Sequence, residues 1–282
     1  MSGNRRSAGL ADEAALVLAA RSSWITWFMT AYMRRYARRH FHAVRIAGSL
    51  PPALDPARGV VVYSNHPSWW DPVMFVLLQA HVFPDRTGFG PMDANALGRY
   101  GVLERIGVFG LPPGTRRGAA RFLRVSEGVL RTPNTVLWVT AEGGFTDPRQ
   151  RPVRLRPGVA HLLRHLPDVT AVPLALEFPF WNERTPEALA RFGEPIMADA
   201  GRDAAAWEAL LAERLTDAMD RLAEDVMTRD PDRFQTLVAG KAGIGGVYDV
   251  WRRGRAAIRG RRARLDHEGR ASKGSPVEQP AP

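Results

Sequence analysis

The sequence predicts a single α/β domain: a mostly covered mixed sheet with flanking helices, preceded by an N-terminal membrane-associated helical segment and followed by a disordered C-terminal tail. Three observations predict it. Short valine-rich runs alternate with longer segments whose apolar residues recur at three- and four-residue spacing, the pattern of strands alternating with helices. The 282 residues, 45% hydrophobic and 24% charged, suffice for one large core. The basic residues gather towards the ends: 34–45 holds five arginines and 252–264 seven, neither with an acid, and together these exceed the net charge of +10.

Taken in order, residues 14–33 (AALVLAARSSWITWFMTAYM) are mostly apolar but interrupted by Arg21, two serines and two threonines. They are barely long enough to span a bilayer. In the continuation, Arg34, Arg35, Arg38 and Arg39 fall on one helical face and Met33, Tyr36, Ala37 and Phe41 on the other, so 1–43 is expected to lie at an interface. A helix packed on the protein's own core with a solvated basic face fits the same pattern. Asp12 and Glu13 stand where a signal peptide needs positive charge, and no small-residue cleavage site follows, so secretion is not expected.

A globular pattern over 44–232 follows. It opens with a strand near VRIAG, a Pro-rich turn and a valine-rich strand at 59–64. Helices are expected over 72–79 and 116–131, a strand over 135–139, a helix over 157–165, a strand at TAVPLAL and another near ARFGEPI. Residues 203–227 make the clearest helix, with Trp207, Leu210, Leu211, Leu215, Met219, Leu222 and Val226 in one stripe. Residues 233–282 are expected to be basic and largely flexible, ending in a tail too polar and Pro/Gly-rich to fold.

Composition excludes several functions. There is no cysteine, so disulfides, thiolate zinc sites and cysteine nucleophiles are ruled out. Terminal arginine segments beside apolar ones suit anionic lipids at a membrane surface better than a nucleic-acid groove. His161 and His165 have the spacing of zinc ligands on a helix, but Leu162 stands where a metalloprotease has glutamate, so no metal site is expected. Ser64 and Ser68 flank His66 without the glycines of a nucleophile elbow, which argues against a serine hydrolase. AGKAGIGG (239–246) lacks phosphate-loop spacing.

The chemistry concentrates in VVVYSNHPSWWDPVMF (60–75). Asp71 before Pro72 reads as an ordinary helix start. It also stands five residues after His66, and no other histidine of the seven has an aspartate at that spacing. A strand that delivers Asn65 and His66 to the sheet edge, with a turn through Ser68 bringing Asp71 back, would bond the carboxylate to one ring nitrogen. The other nitrogen would then be free to act as a base towards a hydroxyl.

NHPSWWD resembles the H-x4-D motif of the lysophospholipid and glycerolipid acyltransferases. Three further segments follow in that family's order: GVFGLPPGTRRGAARFLR (107–124), VLWVTAEGGFTDP (136–148) and TAVPLALEF (170–178). The resemblance covers roughly 45–200 and implies an acyltransferase of the 1-acylglycerol-3-phosphate type, serving phospholipid biosynthesis on the cytoplasmic face of a membrane as a peripheral or monotopic protein. It implies His66 as general base and Asp71 as its orienter, with Asn65 and Ser68 in support. Acyl-CoA or acyl carrier protein is implied as thioester co-substrate, with no further cofactor and no acyl-enzyme. Glu142 and Gly143 match the third block, which holds the acceptor. Ala141 and Phe145 replace its usual proline and arginine, and Leu111 and Pro112 stand where the second block has an acid and an arginine. Phe145, Arg116 and Arg117 are therefore the expected acceptor contacts, with Arg121, Arg149 and Arg151 as alternative sources of charge. Backbone N–H groups at the helix start near Pro72 are expected to stabilise the oxyanion. The rival expectations are an acceptor that is a glycolipid or an isoprenoid glycoside, and a non-catalytic basic membrane-binding protein on the same fold.

Overall fold

The computed structural model describes residues 13–199 and 201–240. Helix α1 (residues 13–20) leads into α2 (Ser23–His40), which Ser22 caps by accepting the Ile25 N–H. The domain then runs β1 (Ala43–Ala47), β2 (Val60–Ser64), α3 (Asp71–Val82), β3 (Thr87–Asp93), α4 (Ala94–Leu97), β4 (Val108–Leu111), α5 (Arg116–Leu130) and β5 (Thr135–Thr140). It closes with α6 (Gly158–His165), β6 (Thr170–Glu177), β7 (Glu187–Phe192), β8 (Ile196–Met197), α7 (Ala204–Thr228) and β9 (Phe234–Ala239).

One mixed sheet carries these strands in the order β4-β3-β5-β2-β6-β7-β1-β9, with β8 beside the start of β6. The first five are parallel, so β2, β3, β4, β5 and β6 all end at one edge. That is the edge at which open α/β sheets hold their ligands. β7 and β9 run antiparallel to β6 and β1 respectively, and β7 is parallel to β1.

Both faces are covered, and the pleat of β2 shows how. Val61 and Tyr63 enter the core built by α5, α6 and α7, while Val60 and Val62 enter the core built by α2 and α3. The Tyr63 hydroxyl donates to the Leu211 carbonyl of α7 at 3.2 Å, satisfying the phenol where burial raises its pKa. On the opposite face, Trp138 donates its indole N–H to Gln79 of α3 at 2.7 Å. The expected stripe on α7 is buried through Trp207, Leu211, Leu215, Met219 and Leu222.

Three strands depart from the sequence expectation. β3 (TGFGPMD) contains two glycines and a proline, which punctuate rather than propagate a strand. Here Thr87–Phe89 pair with β5 and Gly90–Asp93 with β4, so Pro91 falls in the half with a single neighbour. β4 extends the sheet beyond it. β9 (Phe234–Ala239) is an ordered strand inside the stretch expected, from 233 on, to be largely flexible. Phe234 and Val238 are buried there, and the strand pairs with β1 across Ala43–Ala47. The basic run at 252–264 and the polar tail lie outside the described residues.

The Pro-rich connection between β1 and β2 is held by a buried arginine. Arg86 donates to the carbonyls of Arg58 (2.8 Å), Leu54 (2.9 Å) and Asp55 (2.7 Å). Arg86→Ala strands these carbonyls under the loop and is expected to destabilise the fold by about 3 kcal/mol, readable as a lower urea midpoint with unchanged m-value.

Candidate active site

β2 ends at the carboxyl edge of the sheet, and Asn65 continues its pairing by side chain. The Asn65 amide donates to the Leu176 carbonyl at 3.0 Å and accepts the Leu176 N–H at 2.9 Å, clamping the strand end to β6. The chain then leaves the sheet with His66 half-buried. Ser68 makes the return: its carbonyl accepts the Asp71 N–H (3.2 Å) and its hydroxyl accepts the Trp70 N–H (3.3 Å). Asp71 thereby arrives fully buried, with Oδ2 2.5 Å from His66 Nδ1.

The alternative reading of Asp71 as a helix cap is not what the geometry shows. Trp70 occupies the N-cap position, and Asp71 is the first residue of α3, with its side chain turned to the imidazole. Its second oxygen, Oδ1, is buried without a hydrogen-bond partner. Burial therefore raises the Asp71 pKa, and the bond from His66 only partly offsets this. With Nδ1 engaged by the carboxylate, Nε2 is the nitrogen left to take a proton.

The expected oxyanion donors at the start of α3 are already committed. The Val73 and Met74 N–H groups both bond the Trp70 carbonyl, the Asp71 N–H bonds Ser68, and Pro72 has none. Glu142 has a more local partner than expected: its Oε2 accepts the His66 backbone N–H at 2.6 Å, bracing the residue that carries the imidazole. Burial raises the Glu142 pKa, and that N–H bond opposes the rise. Gly143 follows at φ +70°, a conformation that favours glycine, and the Arg156 side chain lies against it.

Residues 43–177 match the acyltransferase family, a span running from the first residue of β1 to the last of β6. The chain carries an acyltransferase-family domain. Curated proteins yield no match. Among solved structures, the crystal structure of the 1-acyl-sn-glycerophosphate (LPA) acyltransferase PlsC from Thermotoga maritima resembles it with a TM-score of 0.50 at 13% identity. The likeness covers 70% of this chain and 81% of that one, and it shows a shared fold.

Within the acyltransferase domain, the loop after β5 closes over His66. The Thr146 N–H donates to the His66 carbonyl at 3.0 Å, and the exposed Phe145 ring sits against the imidazole with centroids 4.4 Å apart. Arg149 and Arg151, considered as replacement charges, are both engaged. Arg149 holds the two oxygens of Asp147 at 2.9 and 2.7 Å, drawing that carboxyl below its ordinary pKa, and Arg151 pairs with Asp220.

Arg116 and Arg117 are exposed in the first turn of α5, which follows β4. β4 stands three places from β2 in the strand order. One carboxylate at this edge escaped the sequence reading. Glu177, the last residue of β6, has its pKa raised by burial, with Arg151 and Arg149 opposing the rise. Its signal was an acid ending the apolar run TAVPLAL at the strand's carboxyl end.

Proposed function

We propose that the protein is an O-acyltransferase moving a fatty acyl group from an acyl-CoA or acyl carrier protein thioester to the hydroxyl of a lysophospholipid-type acceptor. The observation that carries this reading is the 2.5 Å contact between His66 Nδ1 and the buried Asp71 carboxylate, at the carboxyl edge of an acyltransferase-family sheet. His66 Nε2 takes the proton of the acceptor hydroxyl as its oxygen attacks the thioester carbon. The C–O bond forms, the C–S bond breaks, and the departing thiolate takes the proton from His66. Asp71 fixes the ring and stabilises the imidazolium between these steps. Glu142 maintains the backbone beneath it, and Asn65 and Ser68 hold the turn.

The chain works from a membrane surface in this reading. No helix among the described residues is long and apolar enough to cross a bilayer. α2 instead turns Trp24, Trp27, Phe28 and Tyr32 to solvent, followed by the exposed Arg34, Arg35, Arg38 and Arg39. Peripheral attachment to anionic lipid fits that face. A non-catalytic membrane-binding protein has no need of a buried carboxylate held on a histidine.

A second reading of the acceptor is favoured by Phe145. An apolar ring lies against the catalytic imidazole, and the guanidiniums of Arg149 and Arg151 are neutralised by Asp147 and Asp220. The surface next to His66 therefore suits a sugar or isoprenoid body better than a phosphate adjoining the hydroxyl, as in a glycolipid or isoprenoid glycoside. Comparing kcat/KM for lysophosphatidate with that for a neutral lipid alcohol separates the two. On the second reading wild type favours the neutral acceptor and Phe145→Arg shifts the ratio towards lysophosphatidate by about tenfold. Efficient wild-type use of lysophosphatidate, lost on replacing Arg149 and Arg151, returns the acceptor to the phospholipid branch.

A further inference from the structure

Acyl transfer needs hydrogen-bond donors for the oxygen of the thioester carbonyl, which turns negative as the acceptor oxygen adds to its carbon. Near His66 most backbone donors are spent. The N–H groups of Asp71, Val73 and Met74 are committed, that of His66 goes to Glu142, that of Trp70 to the Ser68 hydroxyl and that of Thr146 to the His66 carbonyl. Among the described residues, N–H groups without an acceptor remain in two places beside the dyad. One is Ser68 and Trp69, in the return from His66 to Asp71; the other is Glu142, Gly144 and Phe145, in the loop after β5.

The first place is the rigid one. Ser68 to Asp71 form a turn closed by the bond from the Asp71 N–H to the Ser68 carbonyl at 3.2 Å, with Trp70, its third residue, at φ −78° and ψ −11°. These are the angles of a type I turn, which sets Trp69, the second residue, at φ of about −60°. The Ser68 hydroxyl holds the turn from inside at 3.3 Å, and the Asp71 carboxylate fastens its far end to His66. The loop after β5 instead carries two exposed glycines in succession, Gly143 and Gly144, which leave its backbone permissive. An oxyanion donor acts by being fixed before the charge develops. Trp69 is exposed and so open to a bound thioester.

We infer that the backbone N–H of Trp69, flanked by that of Ser68, is an oxyanion donor of the acyl-transfer step, so that Trp69 is a catalytic residue through its main chain. The inference rests on the acyltransferase reading above. As the acceptor oxygen bonds to the thioester carbon and its proton passes to His66 Nε2, the carbonyl π pair moves onto oxygen, where this N–H holds it. The pair returns to re-form C=O as the C–S bond breaks, and the thiolate takes the proton from His66. One turn thus sets both the carboxylate that orients the base and the donor that receives the charge.

A type I turn accepts proline at its second position, so Trp69→Pro deletes the N–H and keeps the path of the chain. Trp69→Ala, which loses the same indole and keeps the N–H, is the reference. Both are made in the full chain and assayed with a detergent-dispersed acceptor, so that membrane attachment does not enter. Relative to Trp69→Ala, Trp69→Pro is expected to lower kcat by about 10²- to 10³-fold with the KM for thioester and acceptor unchanged, because the oxyanion exists only beyond the ground state. The pH profile of kcat is expected to keep its ascending limb, and Tm to match or exceed that of the alanine variant, since proline at a compatible turn position restricts the unfolded chain. If Tm falls or the limb shifts, the decision rests on a second variant, in which the α-hydroxy analogue of tryptophan at position 69 replaces the amide by an ester with no N–H and keeps the indole. It is expected to show the same loss in kcat against wild type. Turnover by the ester variant equal to wild type, by a well-folded Trp69→Pro equal to Trp69→Ala, or a loss confined to KM overturns the assignment alone. A wild-type chain that transfers no acyl group from any thioester carrier sinks the acyltransferase reading, and the assignment with it.

Discussion

His66→Ala is expected to lower acyl transfer by about 10²- to 10⁴-fold, the range for loss of a positioned general base. Asp71→Asn should cost nearly as much in rate while leaving the protein at least as stable as wild type at neutral pH. The two effects share one cause, burial of a carboxylate for the sake of the imidazole. Asp71 is fully buried with Oδ1 unpartnered, and its pKa is raised in the folded protein. A group whose folded pKa exceeds its unfolded value contributes stability that is complete below the unfolded value and is lost as pH rises through the folded one. Asparagine does not ionise and escapes that loss. The Tm difference between Asp71→Asn and wild type should therefore grow as pH rises out of the acid range and then level off. Rate assays beside thermal melts at several pH values check both parts. If Asp71 served only α3, asparagine would keep the rate near wild type, since it caps a helix almost as well.

The strands and helices legible in the sequence are those whose burial is periodic. β2, β5 and β6 are apolar runs because helices cover both faces, and α7 shows its stripe because one side meets the core. β3 and β4 were hidden by their glycines, which serve close approach: a Cβ at Gly90 would lie 3.1 Å from the Trp138 carbonyl oxygen. β9 was hidden because it buries only Phe234 and Val238 and so lacks the apolar run of a covered strand, although pairing with β1 settles its structure. At the site, spacing sufficed for His66 and Asp71 because a five-residue return is a local event. The bond from the His66 N–H to Glu142 spans 76 residues and depends on β5 lying beside β2, which no single segment encodes. The pairing of Arg151 with Asp220 of α7 is likewise a product of tertiary packing.

Replacing Trp24, Trp27 and Phe28 together with serine is expected to weaken binding to anionic vesicles by about 10²- to 10³-fold. Their relative exposures of 70%, 68% and 54% place three large rings in water on one face of α2. That is costly unless another apolar phase receives them. The opposite face of the helix is spoken for. Ala37 is buried, Tyr36 packs on Trp70 with ring centroids 5.5 Å apart, and Phe41, directly after the helix, meets the same indole at 4.7 Å. Removing residues 1–40 would uncover Trp70 next to Asp71, so truncation would confuse detachment with damage to the dyad. Point changes on the exposed face leave that packing in place. The serine variant should therefore melt like wild type and turn over a detergent-dispersed acceptor normally, while sedimenting poorly with vesicles. Exchanging Arg34, Arg35, Arg38 and Arg39 for glutamine should instead remove most of the salt dependence of binding, because those charges contribute attraction to anionic lipid rather than apolar burial. Unchanged vesicle binding in the serine variant would mean that these rings meet a protein partner and that attachment resides elsewhere in the chain.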